Sequence, residues 1–245
     1  MKKHTKNKKK QVIAIIVLVT ITIIIITLNR EKTTSFDNNN QNTVEVSEVF
    51  IEKATNDKKS LGWELTLANA DNKIPDNYEI TLSNIDQYRQ FDSRAIQYLQ
   101  NMIEDVRKTG IQNIWVQSSY RSIEQQTEIY NRKVKYYEGQ GKTKTEAKEL
   151  TEKVIMIPGC SNHNLGLAVD FNNVNENFEN TKAYKWLKEN AEDYGFVLRY
   201  PKDKESITKI TYEPWHWRYV GKENAKKMNE LNMCLEEYVE YLEKK

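Results

Sequence analysis

The sequence predicts an α+β domain, a small antiparallel sheet flanked by helices, set behind an N-terminal transmembrane helix. Two observations predict the domain. Segments of helical and of alternating apolar periodicity follow one another irregularly, without the strict strand–helix repeat of a parallel sheet. The strand-like segments are also short, with brief connections between them. A third observation, an uncharged apolar run near the start, predicts the transmembrane helix.

Lys2, Lys3, Lys6, Lys8, Lys9 and Lys10 precede "QVIAIIVLVTITIIIITLN", a stretch from Gln11 to Asn29 with no charged residue. It is long enough to cross the hydrocarbon core of a bilayer. The lysines keep the N-terminus in the cytoplasm and leave everything after Arg30 outside. The run exceeds a usual signal-peptide core and no small-x-small cleavage site follows, so an uncleaved anchor is expected over a signal peptide. A buried core helix fits poorly, because Ile, Val and Thr crowd every face and no polar stripe exists. From Glu31 to about Ser60 the chain is polar, with "TTSFDNNNQNT" at its centre, and reads as a tether. The expected organisation is a cytoplasmic tail over 1–10, an anchor over 11–29, a flexible linker over 30–60 and an extracytoplasmic domain over 61–245.

Within that domain, "FDSRAIQYLQNMIEDVRKTG" places Ala95, Ile96, Leu99, Met102, Ile103 and Val106 at helical spacing and stops at Gly110. "NIWVQSSY" alternates like a strand. Ser122 with Gln125, then Thr143 with Glu146, are capping-box signatures opening two helices, the first running to about Glu138 and the second ending before Pro158. "GLAVDF" reads as a strand and "TKAYKWLKENAEDYG" as a helix stopped by Gly195. "FVLRY" and "HWRYV" are further strands, and Lys222 to about Leu242 reads as one helix.

The formal charge of +2 misleads: subtracting the six N-terminal lysines leaves −4 for residues 30–245. A mildly acidic exterior domain has no reason to seek nucleic acid. Cys160 and Cys234 are too few for a disulfide framework and are expected to be free, with a single bridge between them as the alternative.

Beyond the anchor the chain has two histidines. His163 lies in "SNHNLGLAVDF", seven residues ahead of Asp170; His216 lies in "YEPWHWRY", three residues after Glu213. A catalytic zinc takes three ligands from His, Asp and Glu and keeps a fourth position for water. His163, Asp170 and His216 supply those three, and Glu213 remains as a carboxylate able to take a proton from that water. Taken singly, each piece has an ordinary reading, the histidines as satisfied core residues and Asp170 as a turn cap. Their joint pattern favours the metal, and a buried Asp170 needs a cation to offset its desolvation. The spacing is not that of a helical H-E-x-x-H site, so strands and loops must build it, and "EPWH" must bend to aim Glu213 and His216 at one point.

These residues carry a resemblance. "SNHNLGLAVDF" fits S-x-H-x-x-G-x-A-x-D, "EPWHWRY" fits E-x-W-H, and "SSYRSIEQQ", residues 118–126, fits S-x-Y-R-S followed by a glutamine. Together they resemble the VanY-like zinc D-alanyl-D-alanine carboxypeptidases over roughly residues 60–235. The resemblance implies one zinc on His163, Asp170 and His216, Glu213 as general base and then acid, and Arg121 near the scissile carbonyl or substrate carboxylate. Gln126 and Ser161 would help to hold the substrate. The implied activity is removal of a terminal D-alanine from peptidoglycan stem peptides or their precursor by a monomer at the outer face of a Gram-positive-like membrane. An L,D-carboxypeptidase of tetrapeptide stems, a cross-link endopeptidase and a non-catalytic, metal-stabilised cell-wall-binding module are the alternatives. Trp215 and Trp217 read as core or pocket wall.

Overall fold

The computed structural model describes residues 61–245; the tail, anchor and linker expected in 1–60 lie outside the described residues. Among those described, no helix is long and apolar enough to cross a membrane. The expected α+β architecture is present. A hairpin of β1 (Leu82–Asn84) and β2 (Gln90–Asp92) leads into helix α1 (Ile96–Lys108), followed by β3 (Val116–Ser118), α2 (Ile123–Gly139) and α3 (Lys144–Glu152). Then come β4 (Ala168–Phe171), α4 (Lys182–Asn190), β5 (Phe196–Leu198), the short α5 (Glu205–Thr208), β6 (His216–Tyr219), α6 (Lys222–Glu230) and α7 (Leu235–Glu243).

The site depends on one sheet, an antiparallel set in the order β3-β4-β6-β5. Side chains of a strand alternate between faces, and the two central strands use both. Val169 and Phe171 of β4, with Trp217 and Tyr219 of β6, join the main core, which includes Leu99, Met102 and Val106 of α1. Asp170 and His216 fall on the opposite face. Both faces are covered, so these strands are buried throughout although they carry Asp170, His216 and Arg218.

Local sequence chemistry explains the helix ends. Both capping boxes form: Ser122 and Thr143 each accept from the backbone N–H three residues on, and Gln125 and Glu146 each reach back to the cap N–H. The segment after Thr181 forms α4 and then a 3₁₀ turn that stops at left-handed Gly195 (φ 83°). A Cβ at Gly195 would lie 2.8 Å from the Tyr219 ring and 2.9 Å from the Gly221 carbonyl carbon, so the turn needs glycine for space as well as conformation. The single helix expected from Lys222 to Leu242 is corrected to two. Asn232 adopts a left-handed conformation (φ 51°), and Cys234 starts α7 with its backbone N–H donating to Glu237 at 2.9 Å. Cys160 and Cys234 are both buried and free, and burial pushes the Cys234 thiol up to about 12.

A buried polar network links β6 and the loop after β5 to α7. Arg199, in the loop after β5, makes a two-pronged contact with Glu236 of α7 at 2.6 and 2.9 Å. Arg218 of β6 donates to Asn162 at 2.8 Å and to the backbone carbonyls of Glu64 and Tyr219 at 2.8 and 2.7 Å. Burial, reinforced by the Arg199 charge and offset only in part by Tyr78, Tyr200 and Asp92, pushes Arg218 down to about 9. Burial would raise the Glu236 carboxyl, but Arg199 outweighs this and lowers it to about 2. Because its folded pKa lies below the ordinary value of 4.5, its stabilisation is complete above that pH and is lost on acidification toward 2. That contribution is on the order of 3 kcal/mol. Glu236→Gln should therefore lower stability at pH 7 by about 3–5 kcal/mol. Denaturant melts from pH 7 to 3 should show less acid dependence in the variant than in the parent protein.

Candidate active site

The strand register assembles the site. Ser118 of β3 lies opposite Asp170 of β4, which lies opposite His216 of β6, so the three residues form a row across the sheet. His163 reaches the row from the loop before β4. That loop turns tightly: the Asn164 N–H donates to the Ser161 carbonyl at 3.0 Å and the Gly166 N–H to the His163 carbonyl at 3.1 Å. Gly166 has φ 68°, and a Cβ there would meet Ile80 Cδ1 at 2.5 Å, so no other residue fits without displacement.

The donor atoms converge. His163 Nε2 lies 3.2 Å from Asp170 Oδ2, and His216 Nδ1 lies 3.2 Å from Asp170 Oδ1. One donor atom from each of the three buried side chains lies within 4.8 Å of the others. Ligand atoms around a tetrahedral zinc, at bonds of about 2.0–2.1 Å, sit about 3.3 Å apart, so the N, O, N set has the required size and chemistry. His163 Nδ1 lies 2.7 Å from the Ser119 carbonyl oxygen, which can only accept, so Nδ1 carries the proton and Nε2 presents its lone pair to the cluster. His163 Nε2 and Asp170 Oδ1 are buried without a hydrogen-bond partner, as atoms reserved for a cation are.

Electrostatics suits the same role at His163 and Asp170. Burial, reinforced by the Arg121 charge, pushes His163 down to about 4 and keeps it neutral. Burial works against ionised Asp170, but its contacts with His163 and His216 outweigh this and hold the carboxyl below its ordinary range. Burial opposes a charge on His216 too, and its carboxylate partners Asp170 and Glu213 outweigh it, raising the ring.

Glu213 is not among the three converging donors. Its Oε2 lies 3.3 Å from His216 Nδ1, and the turn through Pro214 and Trp215, closed by His216 N–H donating to the Glu213 carbonyl at 3.1 Å, gives "EPWH" the expected bend. Burial raises the Glu213 carboxyl above the ordinary value. Arg121 Nη2 stands 3.7 Å from Asp170 Oδ2, while Arg121 Nε is buried without a partner. Gln126 is 1% exposed; its Nε2 donates to the Met156 carbonyl at 2.7 Å, which turns Oε1, unpartnered, to the other side. Ser161 Oγ accepts from the His163 N–H at 3.2 Å.

All these side chains line one open cavity of about 380 Å³. Trp215 forms part of its wall, whereas Trp217 is buried in the core, its Nε1–H donating to the Pro214 carbonyl at 3.0 Å. Sequence reasoning missed Tyr200, whose ring packs edge-on against His216 with centroids 4.8 Å apart and whose hydroxyl accepts from Asn162 Nδ2 at 3.3 Å. It also missed the Ser119 carbonyl, which no side-chain pattern can reveal.

A buried histidine–aspartate–histidine cluster on a sheet face, with a spare carboxylate beside it and an arginine above it, is the apparatus of a mononuclear metallopeptidase. Residues 88–222 match the family model described as VanY, D-alanyl-D-alanine carboxypeptidase. A D-alanyl-D-alanine carboxypeptidase of Enterococcus faecalis is 42% identical over 177 residues, a match covering 72% of this chain and 66% of that relative. Two solved structures of VanY enzymes are each 41% identical to this chain. One is a glutamate-to-alanine mutant of the vancomycin-resistance D,D-pentapeptidase in complex with Zn(II), with a TM-score of 0.66 covering 73% of this chain and 99% of that one. The other, in complex with D-alanine-D-alanine, has a TM-score of 0.68 covering 73% and 98%. The LD-carboxypeptidase LdcB is 34% identical, with a TM-score of 0.60 covering 71% and 84%. The chain belongs to the VanY family of D-alanyl-D-alanine carboxypeptidases.

Proposed function

We propose that this chain is a zinc D,D-carboxypeptidase that releases the terminal D-alanine from peptidoglycan stem peptides. The observation that carries this reading is Glu213, a buried carboxylate beside the ligand cluster with no part in it, which a purely structural metal site does not need. His163 Nε2, an Asp170 oxygen and His216 Nδ1 would hold the ion. When bound, zinc lowers the pKa of a coordinated water and polarises the scissile carbonyl. Glu213 takes the proton of the attacking water on its carboxylate and later delivers it to the leaving amine, the proton transfers for which its raised pKa suits it. Arg121 supplies fixed positive charge and an unpaired Nε–H to the developing oxyanion or to the substrate carboxylate. Gln126, its amide oriented by Met156, offers Oε1 to a substrate N–H.

Arg121→Ala should reduce kcat/KM by about 10²-fold with zinc content retained, and Arg121→Lys should restore only part of it, since a point charge lacks the guanidinium's fork. Incubating the zinc-loaded protein with penta- and tetrapeptide stems, with and without chelator, tests the substrate. Release of free alanine from the pentapeptide alone supports the D,D reading, and release from the tetrapeptide the L,D one. No release from either would leave a metal-stabilised binding module. The domain acts outside the membrane from the anchor proposed at residues 11–29, a reading supported by the six lysines before it.

A further inference from the structure

The edge strand carries a feature that the catalytic row leaves unused. Val116 pairs with Phe171 and Ser118 with Asp170, so two steps along β3 match one along β4, and Gln117 is the extra residue of a β-bulge. The peptide groups of a bulged residue lack a ladder partner. β3 is also the terminal strand of its sheet, so among the described residues no strand pairs with its outer side.

Gln117 is exposed, and its side-chain oxygen accepts from Trp115 Nε1 at 3.2 Å. The side-chain oxygen is engaged along the strand, and beside the side-chain NH2 the backbone of Gln117, left without a ladder partner, is open to a ligand. Gln117 and Ser118 line the main cavity and also a neighbouring cavity of about 290 Å³ that runs past Tyr88, Gln125 and Glu128. Ser118 stands in the row of Asp170 and His216, so a chain lying along the outer edge at Gln117 passes one residue from that row.

We infer that the bulge at Gln117 is a backbone docking point for the substrate's peptide chain. The stem peptide lies extended on the β3 edge and pairs with the N–H and C=O of Gln117, while its C-terminal dipeptide reaches His163, Asp170 and His216. The inference rests on the peptidase reading. Addition of an extended peptide to a sheet edge draws its affinity from main-chain hydrogen bonds. A three-residue edge interrupted by a bulge is a poor template for another sheet, and still pairs with one chain over one or two residues.

Gln117→Pro removes the Gln117 N–H at a position where proline is tolerated, and Gln117→Ala keeps the backbone intact. Each zinc-loaded variant is assayed on a pentapeptide stem and on Nα-acetyl-D-Ala-D-Ala, which reaches only the cluster. The pentapeptide-over-dipeptide preference in kcat/KM should be about 3- to 10-fold smaller in Gln117→Pro than in Gln117→Ala, the value of a lost hydrogen bond or two. Equal preferences in the two variants would overturn the inference. Should Gln117→Pro fail to fold, the wild-type chain decides the matter with pentapeptides N-methylated at either amide upstream of the scissile one. At least one should lose about 3- to 10-fold in kcat/KM, and full rates for both would overturn the docking. No hydrolysis of any unmodified substrate by the wild-type chain overturns the peptidase reading instead.

Discussion

Glu213→Ala should lower hydrolysis of a D-alanyl-D-alanine-terminated peptide by about 10²–10⁴-fold, the usual range for removing a general base. Zinc content should stay at one per chain, because Glu213 is not among the three converging donors. The two readouts together carry the information. Activity lost with zinc retained assigns Glu213 to proton transfer. Activity lost with zinc makes it a fourth ligand, and unchanged activity sinks the mechanism. Glu213→Gln should resemble Glu213→Ala, since the amide keeps the shape and cannot accept the proton. Stability should change little or rise, because a buried carboxylate with a raised pKa is costly to keep ionised.

Asp170→Asn should have the larger effect on the metal. The aspartate is the middle of the row and the only carboxylate among the three donors, so its loss removes a charged ligand and leaves two histidines facing a neutral amide. Zinc measured after dialysis should fall well below one per chain, and hydrolysis should fall to background. A thermal readout separates metal loss from misfolding. A ligand present at 100 times its dissociation constant stabilises a fold by about 2.7 kcal/mol, so added zinc should raise the melting temperature of the parent protein and leave that of Asp170→Asn nearly unmoved. A variant that is stabilised by zinc like the parent would show that His163, Asp170 and His216 are not the ligand set.

The parts of this molecule that were legible in its sequence are those fixed by neighbours along the chain. The two capping boxes work through atoms three residues apart and stand where expected. The α1 face of Leu99, Met102, Ile103 and Val106 follows from helical spacing alone. The metal cluster was legible for a different reason: histidines are scarce beyond residue 30, and each has a carboxylate near it in the chain.

What escaped was what only the fold brings together. Arg199 and Glu236 meet across 37 residues, and Tyr200 touches His216 because β5 and β6 are neighbours in the sheet. The break at Asn232 was hidden because apolar periodicity continues on both sides, while one left-handed residue suffices to end a helix. The short hairpin of β1 and β2 lacks the Asn-Gly turn and alternating flanks that mark a two-residue loop.

The row formed by Ser118, Asp170 and His216 has a consequence for how the chain finds its structure. Side chains alternate along a strand, so sliding β6 by one residue against β4 would carry His216 to the far side and put Trp217 beside Asp170. A slipped pairing of that kind cannot chelate. Metal capture therefore proofreads strand alignment, and the ion that serves the chemistry also rewards the one registration in which the sheet is correctly threaded.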